Sequence, residues 1–96
     1  MPDYQKGKIY TVVDIGYSKC YFGSTCEELS RRMAGHRSDY RRYKDGRHAY
    51  VAIFSLFDEY SLDNCKIELV ELFPSNSKCE LLAREGHYQR HNDLSL

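Results

Sequence analysis

The seven residues Lys8-Ile9-Tyr10-Thr11-Val12-Val13-Asp14 are rich in β-branched and aromatic side chains and read as a strand. Ile15-Gly16-Tyr17-Ser18 follows as a turn, and Lys19-Cys20-Tyr21-Phe22-Gly23 reads as a second strand. The two are expected to form an antiparallel hairpin. In that hairpin Tyr10 and Tyr21 come out nearly opposite each other, on one face of the sheet.

Working toward the C-terminus, Thr25 stands three residues before Glu28, the signature of a capping box that would open a helix there. The helix is expected to run to about Lys44, with Gly46 as its stop. Leu29, Met33, His36, Tyr40 and Tyr43 recur at spacings of four and three and share its inner face. His48 to Glu59 reads as a second helix, with Tyr50, Ile53, Phe54 and Phe57 on one side. Cys65 to Phe73 alternates as a strand that Pro74 ends. Ser77 and Glu80 form another capping box, opening a last helix through about Arg90. The expected order is β-β-α-α-β-α. That is an α+β domain, a three-stranded antiparallel-rich sheet flanked by helices.

Length and composition agree with one domain spanning 1–96. The chain has 96 residues, of which 42% are hydrophobic and 29% charged, ordinary proportions for a globular protein. No apolar run approaches the roughly 18 residues needed to cross a bilayer, and no signal-peptide pattern opens the chain. The four cysteines, 20, 26, 65 and 79, show neither a C-x-x-C pair nor zinc-finger spacing to a histidine. They are expected to be reduced thiols, mostly packed as small apolar residues, in an intracellular protein.

Net charge is zero, but it is unevenly spread. Arg31 to Arg47 holds seven basic residues against Asp39 and Asp45, whereas the stretch from Asp58 to Glu85 is net negative. Arg37, Arg41, Arg42, Lys44 and Arg47 therefore form a candidate phosphate-binding stripe, the plainer alternative being a solvated helix face.

Several side chains carry candidate chemistry, each with a structural alternative. The two phenols, Tyr10 and Tyr21, would otherwise be a packed cross-strand pair. Arg32 and His36, four apart on one helix face, suit phosphate binding and proton handling; otherwise they are a surface arginine and a satisfied histidine. Leu81, Glu85 and Tyr88 share a face of the last helix, so Glu85 needs a partner there. That partner is either a cation or an ion pair with Arg84 or Arg90. One carboxylate with water and phosphate oxygens is a common Mg²⁺ arrangement. Together the five residues suit phosphodiester hydrolysis, which needs an acceptor for the water's proton and cations for the phosphate.

These residues resemble a known family. Lys8-Ile9-Tyr10, and Tyr21-Phe22-Gly23 further along, are similar to the paired motif that names the GIY-YIG endonucleases. The likeness continues through Ser24-Thr25, Leu29, Arg32-Met33 and His36, and ends in Leu81-Leu82-Ala83-Arg84-Glu85 with Tyr88, covering about residues 7–92. Three departures stand out. Lys8 occupies the first glycine position, Phe22 replaces the middle isoleucine, and one extra residue before the arginine leaves Arg31 as a rival to Arg32. The family's late asparagine has no good match, since Asn92 comes too early; a catalytic domain truncated at its C-terminus would explain this. The resemblance implies a DNA endonuclease using one Mg²⁺ or Mn²⁺ on Glu85. Tyr10 would accept the water's proton, Tyr21 would assist or position the phosphate, Arg32 would stabilise the phosphate, and His36 would hydrogen-bond Tyr10 or relay a proton. It also implies a mobile-element or viral kind of source. Target recognition would need a further domain, a homodimer or weak specificity. The alternative is a nucleic-acid-binding module of the same fold that does not cut.

Overall fold

The computed structural model describes residues 3–90. Strand β1 (Lys8–Asp14) lies at the centre of a three-stranded sheet, between β2 (Cys20–Thr25) and β3 (Cys65–Leu72), and pairs antiparallel with both. The helices are α1 (Leu29–Lys44), α2 (Ile53–Tyr60) and α3 (Lys78–Arg90), with short 3₁₀ turns at Tyr4–Lys6 and Leu62–Asn64. The expected order of strands and helices is present.

Both faces of β1 are covered, which is why its apolar residues run almost unbroken rather than alternating. Tyr10, Val12, Ile67 and Cys65 face α1 and α2, where they pack with Met33, Phe54 and Phe57. Val13, Cys20 and Phe22 face the other way, with Val70 of β3 and Tyr88 of α3. Phe22 and Tyr88 stack with ring centroids 5.6 Å apart. A bulge in β3 opposite Ile9 and Tyr10 lets Ile9 pair with Glu71 but Tyr10 with Leu69. It places Glu71 against α3, where Arg84 grips it with Nε and Nη2. A bulge kinks and twists a strand locally, and this one sits directly beside Tyr10.

Two local expectations are corrected. α1 begins at Leu29, not at Thr25. Thr25 is still the last residue of β2, and its hydroxyl accepts from the Glu27 N–H two residues on, closing a turn instead of capping a helix. α2 begins at Ile53, five residues later than expected. Residues 48–52 form a loop from which Tyr50, half exposed, packs against Tyr43 and Phe54. Its apolar contact mimics a helical pattern without helical backbone. The second capping box is present: Ser77 Oγ accepts from Glu80 N–H, and Glu80 in turn accepts from Asn76 N–H. Of the cysteines, Cys20 and Cys65 are buried, while Cys26 is half-buried and Cys79 exposed.

Candidate active site

The hairpin register corrects one expectation and keeps its consequence. Tyr10 pairs with Gly23, and Val12 with Tyr21, so the two tyrosines are diagonal rather than opposite. An offset of two residues returns to the same face, and both phenols still point toward α1. Gly23 is required by this register. A methyl group there would sit 2.5 Å from Tyr10 Cζ, so only glycine lets the Tyr10 ring lie across the neighbouring strand.

α1 supplies the groups that meet Tyr10. Tyr10 Oη is 2.7 Å from His36 Nε2, and Arg32 Nε donates to the same phenol oxygen at a longer 3.4 Å. With Arg32 donating to that oxygen, the phenol's own proton is available to His36 Nε2 as acceptor. Tyr21 meets the same imidazole edge-on, with centroids 6.1 Å apart. Arg31 is exposed whereas Arg32 is half-buried against Tyr10, so geometry selects Arg32 over its rival.

Electrostatics set the resting state of this cluster. Burial pushes the Tyr10 phenol up to about 12; the Arg32 charge pulls the other way without prevailing, and Tyr21 and Glu85 add to the rise. Burial also raises Tyr21, followed by the charge of Glu85, against Arg32. His36 is pushed down to about 4 by burial and then by the Arg32 charge. At neutral pH the site therefore holds two neutral phenols and a neutral imidazole beside one guanidinium.

Glu85 does not share the sheet face of the tyrosines. It comes from α3, on the opposite face. The two halves meet at the end of β2, where Gly23 faces Tyr10 and the next residue, Ser24, faces α3. Ser24 Oγ donates to Glu85 Oε1 at 2.8 Å, and Gln89 Nε2 makes a weaker 3.4 Å contact with Oε2. Neither expected ion pair forms: Arg84 is committed to Glu71, and among the described residues Glu85 has no cationic partner within 4 Å. A groove of about 250 Å³ opens beside it, lined by Tyr4, Ser24, Thr25, Cys26, Lys78, Leu81, Leu82 and Glu85. A larger groove of about 840 Å³ lies alongside, but Asp3, Glu27 and Glu28 outnumber Lys6 and Arg31 there, which makes it a poor seat for a polyanion.

No cluster of three or more potential metal-ligating side chains exists among the described residues. Glu85 alone fits a hard divalent cation that keeps most of its water, since its oxygens retain lone pairs and, among the described residues, no cation is ion-paired with it.

Three of the five residues of the basic stripe lie beside acidic side chains. Arg42 pairs with Asp39 at 3.7 Å, Lys44 with Asp58 at 2.9 Å and Arg47 with Asp45 at 3.0 Å. Arg37 and Arg41 are exposed and, among the described residues, form no ion pair. They lie one turn apart on α1, with Arg37 about 140° round the helix from Arg32. Sequence reasoning missed Ser24 and Gln89. The signal for Ser24 was its place directly after Gly23, where strand alternation turns it toward the opposite face. Asn92 lies outside the described residues.

No protein-family model matches this chain, and no curated protein matches it in sequence. Two solved structures share its fold. One is a point mutant of the catalytic domain of intron endonuclease I-TevI, with a TM-score of 0.61 and 18% identity, covering 88% of this chain and 81% of that one. The other is the catalytic domain of homing endonuclease I-TevI, with a TM-score of 0.61 and 17% identity, covering 95% of this chain and 98% of that one. At these identities the likeness establishes the fold, which is the one the resemblance to GIY-YIG endonucleases implies.

Proposed function

We propose that this protein is a divalent-metal-dependent endonuclease that hydrolyses DNA phosphodiester bonds. The observation that carries this reading is the meeting at Gly23 and Ser24. Two phenols, a guanidinium and a neutral imidazole stand on one side, and a carboxylate with no ion-pair partner among the described residues stands on the other. The shared fold with an intron-endonuclease catalytic domain supports it.

Arg32 offers its remaining N–H groups to the non-bridging oxygens of the scissile phosphate. Glu85 would hold one Mg²⁺ or Mn²⁺, which would polarise a phosphate oxygen and offset the negative charge that raises both phenols. The proton of the attacking water needs an acceptor. Tyr10 is 1% exposed and hydrogen-bonded to His36 and Arg32, whereas Tyr21 is half-buried and its hydroxyl has no hydrogen bond among the described residues. Exposure thus favours Tyr21 as the phenol that meets the water; its burial-raised hydroxyl must first give up its own proton, to solvent from this half-buried position, before its oxygen takes the water's proton. Tyr10 acts beside it, keeping Arg32 and His36 in place.

His36 serves Tyr10 as a hydrogen-bond acceptor. Burial raises the phenol and lowers the imidazole, so full proton transfer between them is disfavoured in the free protein and the imidazole holds the phenol's direction.

DNA approaches along Arg37 and Arg41, with target choice left to a further domain or a second copy. Among the described residues no helix is long and apolar enough to cross a membrane. Incubation with supercoiled plasmid and Mn²⁺, beside a Glu85→Ala control, tests the function. Nicking by the wild type and none by the variant supports it. A salt-sensitive gel shift without nicking would instead identify the non-catalytic binding module.

A further inference from the structure

Glu85 is unusually well held for a half-exposed carboxylate. Ser24 sits on β2 next to the glycine over which Tyr10 lies, and its backbone partner is Ile9, which is 0% exposed. This is a rigid platform. Its hydroxyl has a single proton, directed at Oε1 over 2.8 Å. Gln89 stands one turn after Glu85 on α3. Its amide donates to the Phe22 carbonyl at 3.0 Å and reaches Oε2 at 3.4 Å. Both donors are therefore anchored to consecutive or near-consecutive residues of β2, and one addresses each carboxylate oxygen.

We propose that Ser24, assisted by Gln89, is a positioning residue that fixes the orientation of Glu85 and so sets the affinity of the site for its divalent cation. The inference rests on the proposed metal role of Glu85 and extends it to two residues outside the motif's chemistry.

The physical reason is preorganisation. A free glutamate side chain loses rotamer freedom when it takes up a cation, and that loss weakens binding. A hydroxyl that already holds one oxygen removes most of the loss in advance. Each carboxylate oxygen has two lone pairs, so a donor on Oε1 leaves room for a cation. Partners of this kind in metalloproteins are worth roughly 10–100-fold in metal affinity. The docking of α3 does not depend on Ser24. Ser24 Oγ is only partly buried, and α3 is independently docked by Leu81, by the Phe22–Tyr88 stack and by the Arg84–Glu71 pair.

The test is a Mn²⁺ titration of the ¹⁵N-labelled protein without DNA, following paramagnetic broadening of amide signals. Wild type should show selective broadening around residues 24, 85 and 89. Ser24→Ala should need about tenfold more Mn²⁺ for the same broadening, and Ser24→Thr, which keeps a hydroxyl, should stay within about threefold of wild type. Gln89→Ala should shift the titration in the same direction, and it serves if Ser24→Ala fails to fold. In cleavage assays the Mg²⁺ concentration for half-maximal rate should rise correspondingly, while the rate at saturating Mg²⁺ stays within about threefold. Selective broadening in wild type with unchanged titrations for both variants would overturn the inference and leave the metal role of Glu85 standing. Broadening that is absent from wild type, or that survives Glu85→Gln, would remove the metal role itself and this inference with it.

Discussion

Acid should destabilise this protein in part through His36, in a pH window that the burial of its ring sets. The ring is buried and its pKa is pushed from 6.5 down to about 4. The unfolded chain therefore binds more protons than the folded one between those values, so stability falls as pH falls through that window. Above about pH 6.5 the contribution is fully present. At about pH 4.5 the unfolded ring is almost wholly protonated and the folded ring largely neutral, which amounts to a loss of about 2–3 kcal/mol relative to about pH 7.5. That is a large share of the roughly 5–15 kcal/mol of a typical domain. Lowered carboxyl groups such as Asp58 and Glu71 move stability in the same direction, so a control is needed. His36→Gln offers a side-chain amide to Tyr10 and does not titrate. Urea unfolding of both proteins at the two pH values isolates the effect: the wild-type advantage over His36→Gln should shrink by about 2–3 kcal/mol on acidification. Parallel pH profiles would show that the ring titrates normally and is not held neutral against Tyr10.

Other consequences are more direct. Glu85→Gln should cut cleavage in Mg²⁺ by more than tenfold, a barrier change above about 1.4 kcal/mol, with DNA binding and melting temperature nearly unchanged; equal rates in a cleavage time course would refute the assignment. Gly23→Ala should drive a methyl into the Tyr10 ring and cost about 1–3 kcal/mol, read by thermal unfolding; an unchanged melting temperature would mean the ring does not lie across β2. Arg37→Ala with Arg41→Ala should flatten the log–log salt dependence of DNA affinity by up to about 0.9 for each phosphate left without its arginine. Arg42→Ala, whose partner is Asp39, should change that slope less. A larger effect from Arg42 would invert the proposed DNA face.

Most of the architecture was legible because its signals are local. β-branched residues mark β1, the Ser77–Glu80 box marks α3, and the period of Leu29, Met33, His36, Tyr40 and Tyr43 marks the inner face of α1. Errors arose where one local signal had two physical uses. Thr25 with Glu28 resembles a cap, but the threonine hydroxyl closes a turn at the end of a strand. Tyr50 resembles a helical position but packs from a loop. In the site, Tyr10, Arg32 and His36 were legible because a strand face and an i, i+4 step bring them together. The role of Ser24 and the approach of Glu85 from the other face were not. They depend on which face α3 covers, a long-range outcome of packing Phe22 on Tyr88. Nor does sequence show that burial outweighs Arg32 at Tyr10. Nearby cations suggest an acceptor with a pKa below that of free tyrosine, and in the free protein the phenol instead rises.

The central claim is that these phenols and Arg32 act on a scissile phosphate, and single-turnover cleavage of a labelled DNA duplex at saturating protein and Mn²⁺ tests it most directly. Tyr21→Phe and Arg32→Ala should each slow the cleavage step by at least about 100-fold, with the fraction of DNA bound held equal to wild type. Tyr10→Phe should slow it too, and should also lose about 1–3 kcal/mol of stability by leaving His36 Nε2 without its buried partner. If all three variants cut within about threefold of wild type, the cluster around Gly23 is a packing arrangement and the proposed chemistry is wrong.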